Sequence, residues 1–291
     1  MTLRLPLPPL DDYRHVDQGV FRQRLTLRDI MTPRCSFANA LRRETVRQAF
    51  SGMPDYYDCL PVIDGDDRAS VTAPIVGVVD RHRANVVARV QDEMDDAEPI
   101  SADLPLIDFV ARAAGTRFSL VSDPAADAVV GLVTIHDLAR LSARLAIFAL
   151  LLEVEEKVGE VIARFAGPDE FAWARFLSAR REKPNRPSPR EDFEKCLRRA
   201  RDKDGSGSVL LEMGLSQKLS LLYAMRSDIL GPRLLIPDKL TDLRNTIAHG
   251  RPFAHRGKAT KLAVPVHDVP AIVRNVRSLS EALGNKLRSM S

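Results

Sequence analysis

Cysteine is scarce in this sequence and long apolar runs are missing from it, and each absence removes a class of protein. The three cysteines, Cys35, Cys59 and Cys196, stand far apart with no CxxC pair. That leaves neither a disulfide framework nor a zinc knuckle and fits a reducing cytoplasm. No Cys or His falls at ligand spacing, and His255 and His267 read as loop residues, so no metal site is expected. Pro6, Pro8, Pro9, Asp11 and Asp12 interrupt the first twenty residues, which excludes the apolar core of a signal peptide. The longest apolar stretch, 145–152, lies between Arg144 and Glu153. A membrane span needs about 20 such residues, so none is expected.

What remains is enough for about two ordinary domains: 291 residues, 45% of them hydrophobic, with a net charge of +4. Basic residues gather at Arg180, Arg181 and Lys183 and again at Arg198, Arg199 and Arg201. Such clusters suit a polyanionic partner; read singly, each is more readily a solvated helix face, and on their own they decide nothing.

An internal repeat organises the first half. Cys59-Leu60-Pro61-Val62-Ile63-Asp64 is followed by Pro74-Ile75-Val76-Gly77-Val78-Val79-Asp80, and Phe118-Ser119-Leu120-Val121-Ser122-Asp123 by Val129-Val130-Gly131-Leu132-Val133-Thr134. Each copy holds two β-branched runs around a turn, with helical patterns before and after. The glycines are 131 − 77 = 54 positions apart and the turn aspartates 123 − 64 = 59, because the first hairpin loop, 65–73, is longer. The period is that of a β-α-β-β-α repeat.

Leu27-Arg28-Asp29-Ile30-Met31-Thr32-Pro33 and Gly131-Leu132-Val133-Thr134-Ile135-His136-Asp137-Leu138 resemble the opening and closing signatures of paired cystathionine-β-synthase (CBS) domains, over residues 25–145. The resemblance implies an adenine nucleotide (AMP, ADP or ATP) as regulatory ligand, held by Thr134, His136 and Asp137. A hydroxyl and free N–H groups at a helix start suit a phosphate, and an aspartate one turn on suits the ribose hydroxyls. The plainer reading is that Thr134 or Asp137 simply caps the helix. In the first copy Asp80 stands in place of the Thr and Arg83 in place of the Asp. An anionic Asp80 would repel phosphate, so one working site is expected rather than two.

Beyond Leu138 the pattern is amphipathic and without strand signals. Helices are predicted over 138–165, 168–182, 189–203, 209–230, 238–249 and 266–288, with breaks at Gly167-Pro168, 184–189, 205–208 and Gly231-Pro232. No breaker occurs within 138–161, so the first of these helices is expected to run on from the nucleotide signature into the helical domain. The expected organisation is an extension over 1–24, an α+β repeat pair over 25–145 and an all-α bundle over 146–291.

The segment 237–252 carries the chemistry. Asp238 behind Pro237 is an N-cap, and Gly250 with Pro252 ends the helix. Leu240, Leu243 and Ile247 form an apolar stripe, with Asn245 and His249 four apart on nearly the opposite face and Arg244 within reach of both. A helix C-terminus favours a cation at His249. Such a set suits metal-free phosphodiester cleavage, with a histidine taking the 2′-hydroxyl proton and a guanidinium stabilising the crowded phosphate. Arg244-Asn245-Thr246-Ile247-Ala248-His249 also resembles the Arg-x4-6-His signature of HEPN domains, over roughly 150–290. That resemblance implies an endoribonuclease built as a homodimer, with Arg244 and His249 catalytic and Asn245 orienting them. It further implies RNA as partner and a role as a toxin in stress or antiphage defence. The alternative is a non-catalytic regulator whose helical domain binds RNA or protein. Glu153, Glu155 and Glu156 are long enough to reach the cleft, but charged residues on a long helix are ordinarily its solvated face; Trp173 and Phe176, three apart, are expected in one buried stripe rather than as base-stacking platforms.

Overall fold

The computed structural model describes residues 25–54, 57–113, 118–180, 187–202, 208–229, 239–254 and 264–290. Residues 1–24, Arg181, Lys183, Gly231, Pro232, Asp238 and His255, all used above, lie outside the described residues. The chain divides between Arg144 and Leu145 into two compact units. The first is mixed α+β and the second is helical.

The α+β unit runs β1 (Thr32–Pro33), β2 (Ala40–Leu41), α1 (Val46–Ala49), β3 (Cys59–Ile63), β4 (Ile75–Asp80), α2 (Val90–Glu93), β5 (Ile100–Ser101), α3 (Leu106–Arg112), β6 (Phe118–Asp123) and β7 (Ala128–Thr134). The hairpins β3-β4 and β6-β7 fall on the four β-branched runs. They sit in two sheets, ordered β2-β3-β4 and β1-β7-β6-β5. In each copy the two-residue lead strand is parallel to the first hairpin strand, as β2 is to β3 and β5 to β6. Alternation brings Leu60, Val62 and Val79 into one core with Val46, Ala49 and Val90 from the flanking helices.

Which chain closes each sheet was not legible in the repeat. β1, which precedes the first copy, pairs antiparallel with β7 of the second, Pro33 opposite Gly131. Asp95, which precedes the second copy, exchanges both backbone hydrogen bonds with Val78 of the first. Each lead-in thus covers the edge of the other copy's sheet, where unpaired backbone groups would otherwise lie open. The signature glycines follow from that close approach. A Cβ on Gly131 would stand 2.7 Å from Met31 Sδ and 2.9 Å from Thr32 O, and one on Gly77 would stand 2.8 Å from Asp95 O. The long first hairpin loop is pinned from beneath, because the buried Arg34 donates to Val71 O and Ala73 O and Asn39 Nδ2 donates to Arg68 O. Burial moves the Arg34 guanidinium below its ordinary pKa.

The helical unit contains α4 (Leu141–Ala166), α5 (Pro189–Asp202), α6 (Val209–Glu212), α7 (Leu215–Ile229), α8 (Leu240–Ala248) and α9 (Val269–Ser289). Three expectations need correction. The helix predicted over 138–165 is two pieces, since a 3-10 turn over Ile135–Ala139 ends at Arg140, whose backbone is extended at φ −63° and ψ 151°. The helix predicted over 168–182 is a 3-10 segment, Glu170–Phe176. There Gly167 turns the chain at φ +78° and its carbonyl accepts from Trp173 Nε1. The helix predicted over 209–230 breaks at Met213, which is extended, and Gln217 Oε1 then accepts from Gly214 N to start α7.

Glycine substitutions should separate close approach from spare freedom. Gly131→Ala should lower unfolding free energy by about 1–3 kcal/mol, because backbone as well as side chain must yield. Gly159→Ala, in α4 and no nearer than 4.0 Å to a neighbouring side chain, should raise it by up to about 1 kcal/mol. Urea denaturation of each variant is the measurement.

Candidate functional site

Two places carry the residues singled out above, one in each unit. In the α+β unit, β7 ends at Thr134 and the 3-10 turn begins at once. Asp137, 8% exposed, folds back on it: its Oδ2 accepts from Thr134 N at 2.7 Å and from Thr134 Oγ1 at 2.9 Å. Its Oδ1 takes the Arg140 guanidinium at 2.8 Å. Arg140 also donates to Met31 O and Thr32 Oγ1, so one carboxylate fastens the end of β7 to β1. Thr134 and Asp137 are therefore together and mutually hydrogen-bonded, while His136 between them is exposed. This is the capping arrangement, and it positions both groups on one turn. At the corresponding end of β4, Asp80 accepts from His82 N and stands 3.7 Å from Arg83 Nε.

In the helical unit, α8 starts after Lys239, which takes a left-handed φ of 53°. Its apolar stripe faces inward, with Leu240, Leu243 and Ile247 all buried. Asn245 is half-buried and His249, the C-cap residue, is exposed. Arg244 Nη1 donates to Asn245 Oδ1 at 3.4 Å. Arginine and asparagine thus touch, whereas no described residue hydrogen-bonds the His249 ring.

Behind this group lies a partner that sequence reasoning set aside. Glu155, on α4, was expected on a solvated face, but its side chain is only 15% exposed. Lys218 of α7 donates to its Oε1 at 3.2 Å, and Arg244 Nε lies 3.9 Å from its Oε2. Neither Arg244 Nε nor Glu155 Oε2 has a hydrogen-bond partner among the described residues. One carboxylate therefore faces two cations, and Arg244 Nε is held towards it by charge rather than by a hydrogen bond. Glu153 is also drawn in, accepting from Lys157 and from Ser280 Oγ of α9. No local pattern could have revealed Lys218, since it is 63 positions from Glu155. Trp173 is buried as expected, but Phe176 is only half-buried, with Arg175 stacked 4.7 Å over its ring.

No family model matches the chain, and no curated protein matches it. Solved structures with CBS domains do match over part of it. A hemolysin-like protein containing a CBS domain from Oenococcus oeni PSU is 19% identical, with a TM-score of 0.33, over 42% of this chain and 92% of that one. CBSX2 in complex with AMP is 22% identical, with a TM-score of 0.34, over 41% of this chain and 97% of that one. The CBS domain of a bacterial CNNM/CorC family Mg2+ transporter in complex with ATP is 19% identical, with a TM-score of 0.34, over 44% and 94%. Among the described residues, no helix is long and apolar enough to cross a membrane.

The charge cluster has a testable energetic signature. Glu155→Leu leaves Lys218 and Arg244, 13% and 30% exposed, facing each other without their carboxylate. It should cost about 2–3 kcal/mol, below the usual range for a fully buried pair because Arg244 keeps some solvent. Adding Lys218→Met should return most of that loss. Additive urea midpoints in the double-mutant cycle would show that the three groups are not coupled.

Proposed function

We propose that the protein is an adenine-nucleotide-regulated, metal-independent endoribonuclease acting as a homodimer, with the α+β unit as a CBS-type nucleotide sensor. The observation that carries the catalytic half is the contact of Arg244 with Asn245 beside an exposed His249 at the end of α8. His249 takes the proton of a ribose 2′-hydroxyl. The resulting oxygen attacks the adjacent phosphorus, and the bond to the 5′-oxygen breaks. The products are a 2′,3′-cyclic phosphate and a 5′-hydroxyl end, the latter taking its proton from water or from the second protomer. Arg244 stabilises the negative charge that builds on the phosphoryl oxygens, and Glu155 with Lys218 fixes where its guanidinium sits. An exposed helix end is a poor water-excluding cleft, so a second protomer supplies the other wall.

For the sensor half, Thr134 supplies its hydroxyl to phosphate and Asp137 its carboxylate to the ribose, with His136 exposed beside them. Binding then exchanges the Asp137–Thr134 hydrogen bonds for bonds to the nucleotide. A role in stress or antiphage defence accompanies this reading.

A second reading is a nucleotide-sensing regulator whose helical unit binds without cutting. One observation favours it: no described residue orients the His249 ring, and a general base works best when a partner fixes it.

Purified protein incubated with total RNA in EDTA, with and without AMP or ATP, separates the two. Cutting should leave cyclic phosphate ends and spare DNA, and Arg244→Ala or His249→Ala should slow it about a hundredfold or more. Variants that cut like the parent would end the catalytic assignment. Calorimetry should show one adenine nucleotide per chain, with Asp137→Ala weakening it roughly ten- to hundredfold; unchanged affinity would leave Asp137 as a cap alone.

A further inference from the structure

We propose that one face of the helical unit, built by α5 and the 3-10 segment Glu170–Phe176, is a binding track for single-stranded RNA. The choice of RNA rests on the proposed substrate; the track itself is independent of whether His249 catalyses anything.

The face follows from the pattern of α5. Phe193, Cys196 and Ala200 are buried, at spacings of three and four that make one inward stripe. At about 100° per residue, Arg198 falls opposite that stripe, with Arg199 and Arg201 to either side, and all three are exposed. Other charges on the helix are partly neutralised, since Arg190 pairs with Glu194 and Lys195 with Asp192. Arg198, Arg199 and Arg201 have no carboxylate within ion-pair distance among the described residues.

Aromatic rings make the patch more than a basic surface. Arg201 lies flat over Phe171 at 4.1 Å from the ring centre, and Phe171 is itself 50% exposed. Both side chains are exposed, so a nucleobase can stack with the pair as a base–arginine–phenylalanine arrangement. On the same 3-10 segment Phe176 carries Arg175 and lines a cleft of about 500 Å³ with Tyr223 of α7 and with Lys239 and Asp242 at the start of α8. The track therefore leads to the element that bears Arg244. Duplex RNA hides its base faces and would find only the phosphate contacts. A lipid surface would gain nothing from stacking.

The test uses a labelled single-stranded 2′-O-methyl RNA, which has no free 2′-hydroxyl to react, titrated against the full chain by fluorescence anisotropy at several salt concentrations. Arg198→Ala/Arg199→Ala should weaken binding about tenfold and flatten the salt dependence by about 1.4, two phosphate contacts at about 0.7 each. Phe171→Ala should weaken binding roughly tenfold with the salt slope unchanged, which separates stacking from charge. Circular dichroism matching the parent shows that these exposed positions leave the fold intact. Parent-like affinity and slope in both variants overturns the track. So does equal or tighter binding to duplex RNA or to phosphatidylserine vesicles. A protein that binds this probe but never cuts RNA keeps the track and loses the ribonuclease; one that cuts RNA with all track variants binding normally does the reverse.

Discussion

Enclosure of α4 is the constraint on which the helical unit depends. From Leu145 onward its exposed positions are Leu145, Leu152, Glu156, Glu160 and Arg164, a single narrow row at spacings near four and seven. Every other face is covered, so Val154, Val158, Val161 and Ile162 pack inward and any polar side chain off that row must find a protein partner. Glu153 meets Lys157 and Ser280 on one side, and Glu155 meets Lys218 and Arg244 on the other. The arginine of the candidate site is thus held by a residue that the packing of a central helix forces to seek cations. Structure and chemistry share one carboxylate there.

The α+β unit solves a different problem with equally few contacts. Three- and four-stranded sheets have edges that attract foreign strands, and here one edge of each hairpin, β4 and β7, is covered by the segment leading into the other copy. The exchange is possible only where glycine lets a methionine lie on the strand, Met31 on Gly131 and Met94 on Gly77. Arg28 adds a second tie, pairing with Asp103 and Asp123 across the same seam. A backbone N–H from Ala125 and then the Arg28 guanidinium hold the Asp123 carboxyl below its ordinary pKa, although both partners are too exposed for the pair to weigh much in stability.

Local physics made some of this legible and left the rest hidden. Period-two β-branched runs gave both hairpins, and the 3.6-residue spacing of Leu240, Leu243 and Ile247 gave the buried face of α8 and hence the outward placement of Asn245 and His249. Predicted breaks failed where a side chain, rather than glycine or proline, ended the helix. Asp137 folding back on Thr134, and Gln217 on Gly214, are local bonds that periodicity does not register. Glu155 was misread for a different reason. A charged residue on a long helix is usually solvated, and only the positions of α7 and α8 reveal that this one is not.

The break at Arg140 also changes how a nucleotide signal would travel. An uninterrupted helix from Leu138 would pass any displacement along its axis. Instead, the residue preceding α4 is an arginine whose guanidinium is shared among Asp137, Met31 and Thr32. On the proposed reading, a ribose that takes the Asp137 carboxylate competes directly with Thr134 and Arg140. Arg140 must then either follow the carboxylate or keep its hold on β1, and its backbone is the entry to the first turn of α4. On that reading the junction would have two discrete arrangements of hydrogen bonds, which is what a switch between two states requires. A ligand biases that junction only by the difference in its affinity for the two arrangements.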